Sequence, residues 1–259
     1  MTRTPRLRNI VFDLDDTLIV EEAVAHASLE SVARDLLAAD PVEVRTVVLA
    51  EARRRWRAGP HFDVCSELGF ASWEGLWSTF EGAHPRLDGL RAWAPGFRRD
   101  TWSSVLRSLG IDDGALVEAC AAAYVDRQRG AHPLIEGAAA TVRSLAENYR
   151  LGLLTNGPPD IQWQKLRTTG LADRFEAVVV SGAVGVGKPD PAVFARVLEE
   201  LGGGPEATLM IGDSWERDVH GARGAGWPVV WISAGRPSPE PELDVPTISR
   251  VDELLDHLG

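Results

Sequence analysis

The sequence predicts an α/β protein: a doubly wound parallel sheet with an inserted α-helical domain. Three observations predict it. A short apolar run over residues 9–13 ends abruptly in carboxylates. From about residue 21 to residue 129 the spacing of apolar residues is helical, with no convincing β-run. After Pro133 helical and β-type segments alternate, which is the pattern of a parallel sheet.

The first strand is Asn9-Ile-Val-Phe-Asp13. Residues 23–38, 42–57 and 113–129 read as helices, dominated by Ala, Leu, Arg and Glu. Asp40 followed by Pro41 is the signature of an N-cap with proline at the first helical position. Helical residues 138–147 lead to a strand at 151–154, and 161–169 lead to 177–180. Helical residues 191–201 lead to 208–211, and 219–225 lead to 229–232. One strand therefore stands alone at the N-terminus and four follow the helical stretch. The expected organisation is an α/β catalytic core of residues 1–19 and 132–259, with a helical domain at 20–131. No internal repeat is present, and residues 237–246 read as a proline-rich surface loop.

Apolar residues make up 44% of the 259, enough for a sizeable core. A net charge of −11 argues against broad attraction to nucleic acid or anionic membrane, but leaves room for a local positive pocket. Cys65 and Cys120 read as buried thiols in a reducing compartment, with a disulfide left open. Residues 1–8 are basic, but Asp13, Asp15 and Asp16 interrupt any apolar run that would make a signal peptide. No stretch approaches the roughly 18 apolar residues of a membrane span. The expectation is a cytoplasmic protein with no nucleic-acid or membrane partner.

Ligands of a parallel sheet bind outside the carboxyl ends of its strands. Strand one delivers Asp13-Leu-Asp15-Asp16-Thr17 there, strand two Thr155-Asn156-Gly157, and strand four Gly212-Asp213-Ser214 with Asp218 close behind. Gly187-Lys188-Pro189-Asp190 lies between them. A strand-end aspartate, Asp13, is placed to attack phosphorus. Asp15 is placed to protonate the leaving oxygen and then activate water. The Thr155 hydroxyl and the N–H groups of its loop offer hydrogen bonds to phosphoryl oxygens, and Lys188 offers a neutralising charge. So many carboxylates cannot share a small dry site on one lysine. A hard divalent cation resolves the imbalance, and Mg²⁺ suits phosphate sites. Asp213, Asp13 and the Asp15 carbonyl are its expected ligands, with Asp218 behind them; a helix N-terminal acid explains Asp218 equally well.

These motifs carry a resemblance. The chain resembles the haloacid dehalogenase-like (HAD) superfamily over essentially its whole length. The D-x-D-x-T pattern falls on Asp13, Asp15 and Thr17, the second-motif Thr on Thr155, the lysine on Lys188 and the acidic motif on Asp213 and Asp218. Arg217 departs from the pattern, since many relatives carry Asn there. Leu153-Leu-Thr-Asn-Gly157 and the helical insert look like the branch of N-acylneuraminate phosphatases and pyrimidine nucleotidases. The resemblance implies a Rossmann-like core with a helical cap domain. It also implies Mg²⁺-dependent hydrolysis of a small phosphomonoester, such as a sugar phosphate or nucleoside monophosphate, through an aspartyl-phosphate. Catalysis would rest on Asp13, Asp15, Thr155 and Lys188, substrate binding on Thr155, Asn156 and Lys188, with Thr17 and Asp218 supporting the metal site.

Other signals are weaker. Residues 182–188 match most of a phosphate-binding loop, but Pro189 stands where the metal-holding Ser or Thr belongs. The six histidines form no close ligand pair, so His26, His61, His84 and His132 read as surface or packing residues. Trp56, Trp73, Trp77, Trp93 and Trp102 read as packing of the insert, with one or two left for a pocket wall. Arg53, Arg54, Arg55 and Arg57 read as a solvated helix face, with capture of an anionic group as the sharper alternative. Alternative functions are a phosphomutase or another enzyme on the same fold, and a non-catalytic ligand-binding protein. A dehalogenase lacks the aspartate two residues after the nucleophile, so Asp15 argues against that branch.

Overall fold

The computed structural model describes residues 7–130 and 132–258. Residues 1–6, 131 and 259 lie outside the described residues. They include most of the basic N-terminal run, both termini of the expected core and the last position of the expected insert.

Six parallel strands form one sheet in the order β3-β2-β1-β4-β5-β6. They are β1 (Asn9–Phe12), β2 (Arg150–Thr155), β3 (Ala177–Val180), β4 (Thr208–Gly212), β5 (Val229–Ile232) and β6 (Thr247–Ile248). The first five fall where the apolar runs predict them. β6 was not expected. It is two residues long and follows the proline-rich segment, too short for any periodicity to show. Every residue of β1 is buried, which requires cover on both faces. Alternation supplies it: Ile10 and Phe12 join one apolar cluster and Val11 another.

Between β1 and β2 come α1 (Glu22–Leu36), α2 (Pro41–Ala58), α3 (Phe62–Leu68), α4 (Ser72–Gly75), α5 (Asp88–Ser108) and α6 (Gly114–Gly130). The core helices are α7 (Ala138–Leu145), α8 (Pro159–Thr168), α9 (Ser181–Val184), α10 (Pro191–Leu201), α11 (Gly221–Gly224) and α12 (Leu254–Leu258). α7, α8 and α12 contribute to the Phe12 side of the sheet, and α10 and α11 to the Val11 side. The expected helix at 219–225 differs. Trp215–His220 forms a wide π-helical turn that runs into α11. Ser214 Oγ accepts from Arg217 N (3.3 Å), and Asp218 folds back to accept from Ser214 N (3.0 Å).

The six inserted helices have a hydrophobic cluster of their own, built around Trp56, Trp77 and Trp102. Asp40 caps α2 as predicted, accepting from Glu43 N at 2.8 Å. Cys65 and Cys120 are free and buried, and burial pushes their thiols up to about 12 and about 11. Among the described residues no helix is long and apolar enough to cross a membrane.

Specific hydrogen bonds tie the insert to the core. Asp160 at the start of α8 accepts from Ser78 Oγ (2.8 Å), Thr79 N (2.7 Å) and Thr79 Oγ1 (3.0 Å). Ser181 Oγ donates to Leu68 O (2.7 Å), and Arg86 donates to Gly185 O (2.9 Å). Removing Asp160 leaves three donors without an acceptor. Asp160→Ala should therefore lower stability by about 2–3 kcal/mol in urea unfolding. A loss below about 0.5 kcal/mol would show that these bonds do not hold insert to core.

Candidate active site

At the carboxyl edge of the sheet, one cavity of about 210 Å³ gathers Asp13, Asp15, Asn156, Lys188, Asp213 and Asp218. The strand order explains the gathering. β1 lies between β2 and β4, so their C-terminal residues converge without long side chains having to reach. Lys188 is the centre of one half. Its Nζ donates to Asp13 Oδ1 and to Asp218 Oδ1, both at 2.6 Å, and only 3% of the residue is exposed. Burial opposes the lysine's charge, but the two carboxylates outweigh it and raise its pKa. Asn156 fixes the Lys188 backbone, donating to its carbonyl (2.9 Å) and accepting from its N–H (2.8 Å). Gly212 is required at the end of β4, because a Cβ there would stand 2.3 Å from Asp218 Oδ2.

A second buried lysine organises the other half. Lys165 on α8 lies 3.0 Å from Asp15 Oδ1 and 3.0 Å from Glu21 Oε1. The other Glu21 oxygen is 2.9 Å from His132 Nε2. Burial opposes the charge of Glu21, yet Lys165 and His132 outweigh it and bring its pKa down to about 2. Gln162 donates one amide to Asp15 Oδ2 (3.0 Å) and Thr155 Oγ1 (2.5 Å). Thr155 is thus buried behind Asn156 rather than on the cavity wall. Thr17 is buried as well, and its hydroxyl has no partner among the described residues.

Sequence reasoning missed Lys165, Gln162, Glu21 and the role of His132. One signal was present: Ile161, Gln162, Lys165 and Leu166 fall on one helical face, so two polar residues share the buried stripe of α8. Of the insert tryptophans, Trp73 lines the cavity, together with Glu74 of α4. The arginine cluster of α2 does not line it; Arg54 and Arg55 instead pair with Glu51.

The donor set fits a hard cation. Carboxylate oxygens of Asp13, Asp213 and Asp218 lie within 4.8 Å of one another. Both Asp218 oxygens are already engaged, by Lys188 and by Ser214 N. That leaves Asp13 and Asp213 as carboxylates for the ion. Burial and like-charged neighbours push Asp13 up to about 8, against the pull of Lys188, and Asp213 up to about 6. A divalent ion beside these two carboxylates would favour their charged forms.

The family model for haloacid dehalogenase-like hydrolases matches residues 7–226, and the chain belongs to that family. Phosphoserine phosphatase of Thermus thermophilus is 35% identical over 91% of this chain and 92% of its own. Glyceraldehyde 3-phosphate phosphatase of Methanopyrus kandleri is 28% identical over 96% of each. Among solved structures, the magnesium-bound HAD-hydrolase YfnB of Bacillus subtilis superposes with a TM-score of 0.68. It is 25% identical, and the match covers 98% of this chain and 100% of that one.

Glu74 gives the site a pH signature. Burial holds its pKa up at about 8, with Lys165 pulling it down and Asp15 and Glu21 pushing it up. A carboxyl that binds its proton more tightly when folded stabilises the protein at low pH. That contribution is complete below the ordinary value of 4.5 and is lost as pH rises through about 8. Glu74→Gln lacks this dependence. Relative to wild type, its stability without divalent cations should rise by about 2 kcal/mol or more between about pH 5 and pH 8. Parallel stability curves would show that Glu74 titrates normally.

Proposed function

We propose that the protein hydrolyses a compact phosphomonoester through an aspartyl-phosphate on Asp13. The observation that carries this reading is one cavity lined by two aspartates, each held by a buried lysine. Asp13 is held by Lys188, and Asp15 by Lys165. An Asp13 carboxylate oxygen attacks phosphorus as the bond to the leaving oxygen breaks. The Asp15 carboxylic acid gives that oxygen its proton, so the product leaves as an alcohol. Asp15, now a carboxylate, takes a proton from a water whose oxygen attacks the same phosphorus. Inorganic phosphate leaves, the Asp13 carboxylate is regenerated and Asp15 is again protonated.

Lys188 and the Asn156 loop hold phosphoryl oxygens, with Thr155 behind them. A Mg²⁺ ion bound by Asp13, Asp213 and the Asp15 carbonyl supplies Lewis acidity toward those oxygens. Asp218 and Thr17 support the ligands from behind. The helical insert, residues 20–131, is a cap that contributes the leaving-group end of the cavity and keeps bulk water out. The magnesium-bound YfnB structure reveals interdomain movement in that protein, which supports the same freedom here. The cavity lies below the roughly 300–1,000 Å³ of sites for drug-sized ligands, which favours a leaving group of a few heavy atoms over a nucleoside. The two free thiols support a reducing, cytoplasmic setting.

The test is a panel of small phosphate esters, p-nitrophenyl phosphate among them, assayed with Mg²⁺ and with excess chelator. Turnover should require the metal. Asp13→Asn should remove nearly all of it, and Asp15→Asn should slow it by about 10²–10⁴-fold. One tenth of wild-type kcat surviving in Asp13→Asn would rule out covalent catalysis by Asp13.

A further inference from the structure

The carboxylates around the cavity are not equivalent. Asp13 and Asp218 share Lys188, and Asp15 and Glu21 share Lys165. Asp213 is 3.2 Å from Arg236. Asp16 accepts from the Glu21 and Glu22 N–H groups at the start of α1. Glu74 resembles Asp16 in having a backbone N–H donor and no cation among the described residues, but unlike Asp16 it is buried. One oxygen, Oε2, accepts from Ala71 N at 2.6 Å. Among the described residues no cation lies within ion-pair distance of its carboxylate, and the residue is only 4% exposed. It lines the cavity, as does Trp73.

An ionised carboxylate this deep costs several kcal/mol unless a cation meets it. Lys165 is the nearest protein cation in effect, but it is committed to two other carboxylates at 3.0 Å each. Arg217 also lines the cavity but is not within ion-pair distance of Glu74, so a close countercharge must arrive with a ligand, or the carboxyl must stay protonated.

The position of Glu74 says which part of the ligand it meets. It belongs to the insert, whereas the groups placed on the phosphoryl oxygens belong to the core. Besides Lys165, its strongest charged neighbour is Asp15, the proton donor to the leaving oxygen. A short leaving group bound at Asp15 therefore extends toward Glu74. Trp73 adds an aromatic wall, which attracts a cation through its ring face.

From this geometry we infer that Glu74 and Trp73 form an ammonium subsite, so the preferred substrate is a compact phosphomonoester whose leaving alcohol carries a protonated amine. The inference rests on the phosphatase reading above and deepens it. A neutral polyol phosphate would leave the Glu74 carboxyl either protonated or without a countercharge.

Matched esters test this. O-phosphoethanolamine is compared with ethyl phosphate, and O-phosphoserine with 3-phosphoglycerate, in which a hydroxyl replaces the ammonium. In wild type, kcat/KM should favour the amine of each pair by about 30-fold or more, the effect of one buried charge-assisted hydrogen bond. In Glu74→Gln that ratio should fall at least tenfold, and in Trp73→Leu by a smaller factor. A wild-type ratio near one, or a ratio that survives Glu74→Gln, would overturn the subsite. If Glu74→Gln fails to fold, the wild-type ratio and its loss in Trp73→Leu decide. The two readings fail differently. No hydrolysis of any ester, p-nitrophenyl phosphate included, removes the phosphatase reading and the subsite with it. Hydrolysis without amine preference removes the subsite alone.

Discussion

A lysine ammonium buried between two aspartates is the constraint on which this architecture depends. Removing Lys188 from water is expensive, and only two short, well-aimed ion pairs make it tolerable. Those carboxylates lie 175 and 30 residues away in sequence. They meet only if β1 and β4 are neighbours. Asn156 grips the lysine's backbone from the other side, which requires β2 to flank β1. The observed order meets both conditions, with β1 at the point where the chain switches direction across the sheet. Gly212 answers the same demand locally, because any side chain there would displace Asp218.

Lys165 repeats the arrangement on the side of the insert, with a different consequence. Its partners are Asp15, just after β1, and Glu21, at the threshold of α1. His132, at the far end of the insert, takes the other Glu21 oxygen. The entry and exit of the helical insertion are thereby tied to each other and to α8 through one charged cluster. The Trp77 ring covers it, stacking on His132 at 5.9 Å and lying 6.0 Å from the lysine. A displacement of the insert would disturb the contacts that aim Asp15. Orientation of the acid–base group and seating of the insert are in this way one mechanical problem.

The sheet and the strand-end motif were legible because both are local. A buried strand needs a run of β-formers, and a phosphate site needs particular groups directly after it. Asp13, Asp15, Lys188, Asp213 and Asp218 could be placed for that reason. β6 escaped because two residues carry no period. The Lys165 cluster escaped for a deeper reason. Lys165, Glu21, His132 and Glu74 are ordinary residues for helices and loops, and only tertiary packing removes them from water. Gln162 and Lys165 on the buried stripe of α8 were the one visible anomaly. Thr155 was legible in place but not in contact, since its hydroxyl is engaged by an amide that no motif announces.

Space and charge then divide the work between the two parts of the chain. The ion pairs around Asp13 come from the strand ends of the core and the loops that follow them. The insert contributes a small patch, from Gly69 to Glu74. That patch is positioned by Gly69, whose left-handed backbone (φ 71°) lets it press against the Asn156 side chain, where a Cβ would stand 2.2 Å from the amide nitrogen. Asn156 in turn holds Lys188. One glycine contact therefore sets the distance between Lys188 and the insert side chains on the opposite wall of the cavity. A change in α3 or α4 alters the far wall of the cavity without touching the ion pairs around Asp13. The far wall is free to vary within those few residues, while the ion pairs around Asp13 remain fixed by the order of the strands.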